Sequence, residues 1–273
     1  MKTATVKYTL FLVLALALIL PGAYGSASTV QAASSCFPPP AGLTNWWPGD
    51  DNTDDIVGGQ NAVLCYDTEF GTGIVEEAFV LRYPNTMKQW PGNFVEVPHE
   101  DALNLGTGDF TVSLWVYFND TSEEQVLIEK WIQNMDGPDN NSIGWTLTKL
   151  DNNVLRLALD DYSGEIDIDS GVVSIPTHTW LHFAATRKSG IITLYMNGTQ
   201  IASGVVPLDF NLDSESSLKF GHRGNIWDTP RSTSFQEFYL NGRIDEVQLF
   251  VGTALNRGFI QAIYRIGSAG LCK

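Results

Sequence analysis

Apolar and polar residues alternate along Phe110-Thr111-Val112-Ser113-Leu114-Trp115-Val116-Tyr117. A period of two puts Phe110, Val112, Leu114 and Val116 on one face of a strand and Thr111, Ser113, Trp115 and Tyr117 on the other. Such a strand needs hydrogen-bonded neighbours and a second layer over its apolar face. The chain supplies both. Shorter strand-like runs fall at 42–47, 62–66, 78–82, 94–97, 126–131, 144–149, 154–160, 165–169, 180–187, 192–196, 199–202 and 218–220. Ser189-Gly190, Asn197-Gly198 and Asn241-Gly242 supply hairpin turn chemistry between or before them. A helical pattern appears only at 256–266, with Asn256 as a cap and Phe259, Ile260, Ile263 and Tyr264 on one face. Many short strands, one short C-terminal helix and one core predict an all-β, two-sheet antiparallel sandwich.

The segment 1–33 reads as a signal peptide. Lys2 and Lys7 precede an apolar run at 8–20, Pro21-Gly22 breaks it, and small residues follow to Ala33. That run is shorter than the roughly 20 residues a spanning helix needs. The expectation is a secreted, extracellular protein with no transmembrane span and one domain over 34–273. The formal charge is −15, and the signal-like segment contributes only two lysines to it. So acidic a chain argues against nucleic acid as a partner. Export permits disulfides. Cys36 and Cys272 bracket the domain and are expected to pair, although three cysteines allow three pairings. Cys65 is then left over, expected as a buried small hydrophobe.

Several stretches carry a family resemblance. Gly42-Leu43 with Trp46-Trp47-Pro48-Gly49-Asp50, Asn93-Phe94-Val95-Glu96-Val97-Pro98, Gly108-Asp109-Phe110-Thr111-Val112, Trp180-Leu181-His182-Phe183-Ala184, Leu194-Tyr195-Met196-Asn197-Gly198 and Gly242-Arg243-Ile244-Asp245-Glu246-Val247 occur in order. Together they resemble laminin-G-like jelly-roll domains, which have the concanavalin A-like lectin/glucanase fold. The resemblance implies a jelly-roll sandwich used for glycan binding or adhesion, and calcium held by Asp245 with main-chain carbonyls. Insertions at 83–92 and 211–239 depart from the family pattern, and loop insertions are where a particular ligand is read.

Three constellations could carry chemistry. In 241–250, alternation places Asp245 on the side of Val247, Leu249 and Val251, opposite Ile244, Glu246, Gln248 and Phe250. A buried carboxylate needs compensation, from a cation or from a row of backbone N–H groups. The acidic loop at 50–55 offers hard oxygens, so Asp50, Asp54 and Asp245 are the candidate ligands of a structural calcium. Glu165-Ile166-Asp167-Ile168-Asp169 puts three acids on one strand face. It is similar to the Glu-Ile-Asp-Ile-Glu run of laminarinase-type glycoside hydrolases, with Glu165 as nucleophile and Asp169 as acid/base. The last position here is one methylene short and the Trp-Pro lead-in is missing, so a solvated hairpin face is the better reading. Finally, Trp90, Trp115 and Trp227 are candidate rings for stacking on a sugar. His182 is expected as a packed, hydrogen-bonded core histidine. The function expected is a non-catalytic binding module for glycans or cell-surface and matrix ligands. A hydrolase and a protein-binding adhesion domain are the alternatives.

Overall fold

The computed structural model describes residues 36–82, 92–133, 142–223 and 238–273. The expected signal segment therefore lies outside the described residues. The strands are β1 (Asn45–Trp47), β2 (Val63–Cys65), β3 (Glu69–Thr72), β4 (Glu77–Leu81), β5 (Phe94–Val97), β6 (Phe110–Phe118), β7 (Gln125–Gln133), β8 (Ser142–Lys149), β9 (Val154–Asp161), β10 (Glu165–Val172), β11 (Trp180–Lys188), β12 (Ile191–Met196), β13 (Thr199–Val205), β14 (Leu218–Phe220) and β15 (Gly242–Val251). A single α-helix, α1 (Arg257–Ile266), follows among the described residues. The short β3 carries no periodic signal and was not anticipated.

The described strands form two antiparallel sheets. One has the order β13-β12-β11-β6-β15-β4-β3, with β1 also on β15; the other runs β10-β9-β8-β7-β14-β5-β2. Phe110, Val112, Leu114 and Val116 enter the main core between the sheets, with Trp47, Phe79, Trp145, Leu157, Phe183 and Phe220. Burying each such side chain contributes about 1.5–3 kcal/mol. A second, smaller core lies on the outer face of the larger sheet. There Trp46, Tyr195 and Phe250 meet Ile260 and Ile263 of α1. Asn256 caps the helix as expected, its Oδ1 accepting from Gly258 N at 2.8 Å and Phe259 N at 3.2 Å. Phe259, expected on the apolar face, is instead exposed. No described helix is long and apolar enough to cross a membrane.

The two ends of the described domain meet. Cys36 and Cys272 are bonded across a sequence separation of 236. Beside them Phe37 N donates to Gly270 O at 3.0 Å and Cys272 N to Phe37 O at 2.9 Å. Cys65 is not fully buried, contrary to expectation, because β2 is an edge strand. Burial and the neighbouring Glu96 carboxylate push its thiol up to about 11.

Candidate functional site

The acid at Asp245 sits on the opposite face from the one simple alternation gives. Asp245 stands opposite Trp115, but Gln248 stands opposite Ser113. β15 spends three residues where β6 spends two, and the extra one is Glu246, at φ +52°. This bulge puts Ile244, Val247 and Leu249 together in the core and turns Asp245 outward with Trp115. Asp245 is nonetheless 0% exposed. Its Oδ2 accepts from Ile74 N at 2.7 Å and Val75 N at 3.1 Å. Gly73 makes room for this cradle, since a Cβ there would lie 2.4 Å from Asp245 Oδ2 and 2.6 Å from Glu77 O. Backbone amides thus provide compensation on one oxygen. The other, Oδ1, is buried without a hydrogen-bond partner. Burial first, then the charges of Glu246 and Asp50, hold the Asp245 carboxyl well above its usual range.

Around Asp245 the acids are partly neutralised. Glu246 Oε2 accepts from Trp46 Nε1 at 2.8 Å, and Lys273 Nζ lies 3.2 Å from Glu246 Oε1 while pairing with Asp50. Asp54 is exposed and accepts from Asn61 Nδ2 at 2.9 Å. The loop is built instead around the neighbouring, buried Asp55. Its Oδ1 accepts from Trp46 N at 2.8 Å, Val57 N at 3.1 Å and Gly58 N at 3.0 Å. Its Oδ2 accepts from Asn45 Nδ2 at 2.7 Å and Gln60 N at 3.1 Å. Nothing in the acid run marks Asp55 out, because its donors come from a turn that sequence does not locate. Among the described residues no three His, Cys, Asp or Glu side chains are arranged to hold a metal ion. Asp245 Oδ1 is the one buried carboxylate oxygen here without a donor or cation beside it, whereas Asp50 already pairs with Lys273 and the amides serve Oδ2.

The Glu165–Asp169 face lies on β10, at the edge of its sheet. Arg156 of β9 binds it: Nε and Nη2 donate to Asp169 Oδ1 and Oδ2, both at 2.8 Å, and Nη1 to Asp167 Oδ2 at 2.7 Å. A carboxylate engaged on both oxygens by a guanidinium is poorly placed to give or take a proton. Glu165 is raised by burial and by the adjacent Asp167 charge. Trp115 is a correction. It does face out of the main core, but it is only 5% exposed, with Tyr264 of α1 at 5.9 Å and His182 at 5.1 Å. The helix closes over it, so it offers no stacking surface. His182 is packed as expected, its Nε2 2.9 Å from Ser113 Oγ, and burial pushes it down to about 3.

Trp90 and Trp227 lie outside the described residues, but the flanks of their segments converge. Gly92 sits against the Tyr239 ring, where a Cβ would come within 2.6 Å. Leu240 N donates to Gly221 O at 2.9 Å and Val126 N to Phe238 O at 3.3 Å. At this corner of the smaller sheet the rings of Tyr66, Phe94, His222 and Tyr239 meet in series, with centres 5.9, 4.5 and 4.4 Å apart; Phe94 and His222 are stacked and the outer two contacts are tilted. Beside them the Arg223 guanidinium lies 4.8 Å over Phe238, 3.2 Å from Glu124 Oε1 and 3.4 Å from Thr148 Oγ1. Burial raises the Glu124 carboxyl and Arg223 opposes the rise. The Tyr66 ring is 60% exposed. Phe94, His222 and Tyr239 are buried, so Tyr66 presents the open stacking face of the series, and the Arg–carboxylate pair adds donors and acceptors. Phe94 comes from β5 and Thr148 from β8, while Tyr66, Glu124, His222, Arg223, Phe238 and Tyr239 lie outside the strands, so no local pattern announces them. The insertions at 83–92 and 211–239, the second of which contains Arg223, were the available signal.

A family model of the concanavalin A-like lectin/glucanases superfamily, a laminin-G type, matches residues 91–261. That match spans more than half of the sequence, and the chain belongs to this family of laminin-G-like, concanavalin A-like jelly rolls. Comparison with curated proteins gives no sequence match. Among solved structures, the chain is similar to domain 4 of AbnA, a GH43 extracellular arabinanase from Geobacillus stearothermophilus, in complex with arabinotriose. The TM-score is 0.59 at 18% identity, covering 81% of this chain and 97% of that one. It is also similar to the binding domain of Paraclostridial Mosquitocidal Protein 1, with TM-score 0.60, 20% identity and coverages of 82% and 52%. The binding domain of botulinum neurotoxin DC in complex with SialylT gives 0.57, 16% identity and coverages of 82% and 51%. The chain thus spans about half the length of these toxin domains. At such identities the likeness shows the shared fold.

Proposed function

We propose that this chain is a secreted, non-catalytic glycan-binding module. The observation that carries the reading is the corner where the flanks of the Trp90 and Trp227 segments meet. There a ring series and the Arg223–Glu124 pair share one edge of a jelly roll. A sugar C–H face would stack on the exposed Tyr66 ring that the series supports, and a guanidinium paired with a carboxylate offers donors and acceptors to hydroxyls. The structural likeness to a domain holding arabinotriose and to a toxin binding domain holding SialylT favours the same class of ligand. The Arg156 clamp on Asp167 and Asp169 speaks against hydrolysis at that strand. A structural calcium belongs to the proposal: Asp245 Oδ1 and Asp50 would hold it, and it would supply charge compensation for the buried acids.

A printed oligosaccharide array tests the reading. Wild-type protein should retain at least one glycan, and Arg223→Gln, Trp90→Ala and Trp227→Ala should each weaken that signal while leaving melting temperature in place. Release of reducing sugar from any β-glucan by purified protein, or an array left blank, would sink it.

A further inference from the structure

The outer face of the larger sheet carries a second aromatic row that the proposed reading does not use. Trp180 of β11 stands opposite Tyr117 of β6, and Tyr117 stands opposite Arg243 of β15. Directly opposed residues on neighbouring strands share a face. Two residues along, Trp115 and His182 form the row that Tyr264 of α1 covers. At the next row Tyr117, Trp180 and Arg243 are half-buried and His178 is exposed. The Tyr117 and Trp180 ring centres are 5.5 Å apart with planes at 57°. His178 meets Tyr117 edge-on at 5.9 Å.

Local sequence builds this row. Gly242 lets β15 approach β6 closely, since a Cβ there would fall 1.9 Å from Tyr117 O. The next residue, Arg243, then lays its guanidinium 5.2 Å from the Tyr117 ring centre, with Nη1 donating to Thr72 O at 2.6 Å. His178, at φ +57°, is fixed by its N–H donating to Phe118 O at 2.8 Å.

The row also carries an uncompensated charge. The chain has 31 acids against 16 Lys and Arg. Arg82, Arg156 and Arg223 each pair with a carboxylate. Arg243 pairs with none among the described residues, although it is half-open and its position is fixed by a ring and a carbonyl. A preorganised guanidinium beside two rings matches a ligand with an anionic group and an apolar face.

We propose that Tyr117, Trp180 and Arg243 form a second glycan site, for an acidic sugar whose C–H face lies on the two rings and whose carboxylate pairs with Arg243. The inference rests on the glycan-binding reading and adds a ligand class and a location on the opposite sheet. The test is an array carrying neutral oligosaccharides beside uronate- and sialate-terminated ones, probed with wild type, Trp180→Ala, Trp180→Leu, Arg243→Gln and Arg223→Gln. Each protein's melting temperature is measured first, and Trp180→Leu keeps apolar bulk if Trp180→Ala does not fold. The acidic glycans should lose about tenfold in signal in the Trp180 and Arg243 variants, the scale of one stacking or ion-pair contact. Equal acidic signal in wild type and these variants overturns the inference. So does a wild type that retains no acidic glycan. Neutral-glycan binding that falls only in Arg223→Gln, with no acidic response, removes this second site and leaves the proposed function standing. A wild type blank on every glycan removes both.

Discussion

Replacing Asp55 by Ala removes a carboxylate that accepts five hydrogen bonds. Three of the donors, Val57 N, Gly58 N and Gln60 N, are in partly exposed surroundings, and water can take over much of their role. The other two, Trp46 N and Asn45 Nδ2, are buried; Asn45 Nδ2 keeps Gln60 Oε1 at 2.6 Å as a second partner, but each loses its bond to the carboxylate. Hydrogen bonds to a charged group contribute about 1.5–3 kcal/mol each, and a buried donor left unmet costs at least as much. Two such losses give about 3–6 kcal/mol. That is a large share of the roughly 5–15 kcal/mol that holds a domain folded. At about 2–4 °C per kcal/mol for a domain of this size, the melting temperature should fall by roughly 6–24 °C. The neighbouring Asp54→Ala, at an exposed site with one hydrogen bond, should stay within about 0.5 kcal/mol of wild type. Differential scanning calorimetry on the three proteins decides it. An Asp55→Ala shift below 2 °C, or an Asp54→Ala shift as large as that of Asp55→Ala, would refute the view that the loop is organised on Asp55.

Two further outcomes follow from buried charge. Calcium at a hundredfold excess over its dissociation constant should raise stability by about 2.7 kcal/mol by linkage, magnesium by less. Asp245→Asn should abolish that rise and Asp167→Asn keep it, and melting curves in chelator, calcium and magnesium would read it; no response in metal-free wild type means the amides of Ile74 and Val75 suffice. His182 and His222 are both pushed down to about 3 from a usual 6.5 by burial. Their folded-state values are depressed, so the unfolded chain takes up protons first. Stability is complete above about 6.5 and declines as pH falls toward 3. His222→Phe, which keeps the stack on Phe94, should flatten part of that acid limb in a melting-temperature series, and an unchanged limb counts against the assignment.

The fold was largely legible because its signals are local. β6 and its core residues were read from alternation alone, since sandwich strands with one buried face must alternate. The helix was legible from Asn256 and a 3.6-residue period, yet Phe259 was misjudged because an apolar stripe does not show how far a sheet extends beneath it. Cys36 and Cys272 could be matched because domain termini lie near one another. Cys65 was misplaced because its burial depends on β2 having no strand beyond it. β3 was invisible: with β4 on one side only, its pairing rather than its composition makes it a strand.

The sites were less legible, for one physical reason that Asp245 shows best. Alternation predicts a side chain's face only while the ladder keeps step, and a bulge moves every later residue to the other side. Reading 241–250 as an uninterrupted strand made Asp245 a neighbour of Val247 and Leu249. In the fold the bulge at Glu246 sends the apolar residues inward and the two acids out, Glu246 toward Trp46 and Lys273 and Asp245 onto the amides of Ile74 and Val75. Without the bulge, either Ile244 or Val247 with Leu249 would lose its place in the core, at a cost of about 1.5–3 kcal/mol for each side chain. Core burial therefore dictates the bulge, and the bulge dictates where the carboxylates gather. The oxygen left over, Asp245 Oδ1, is a consequence of packing.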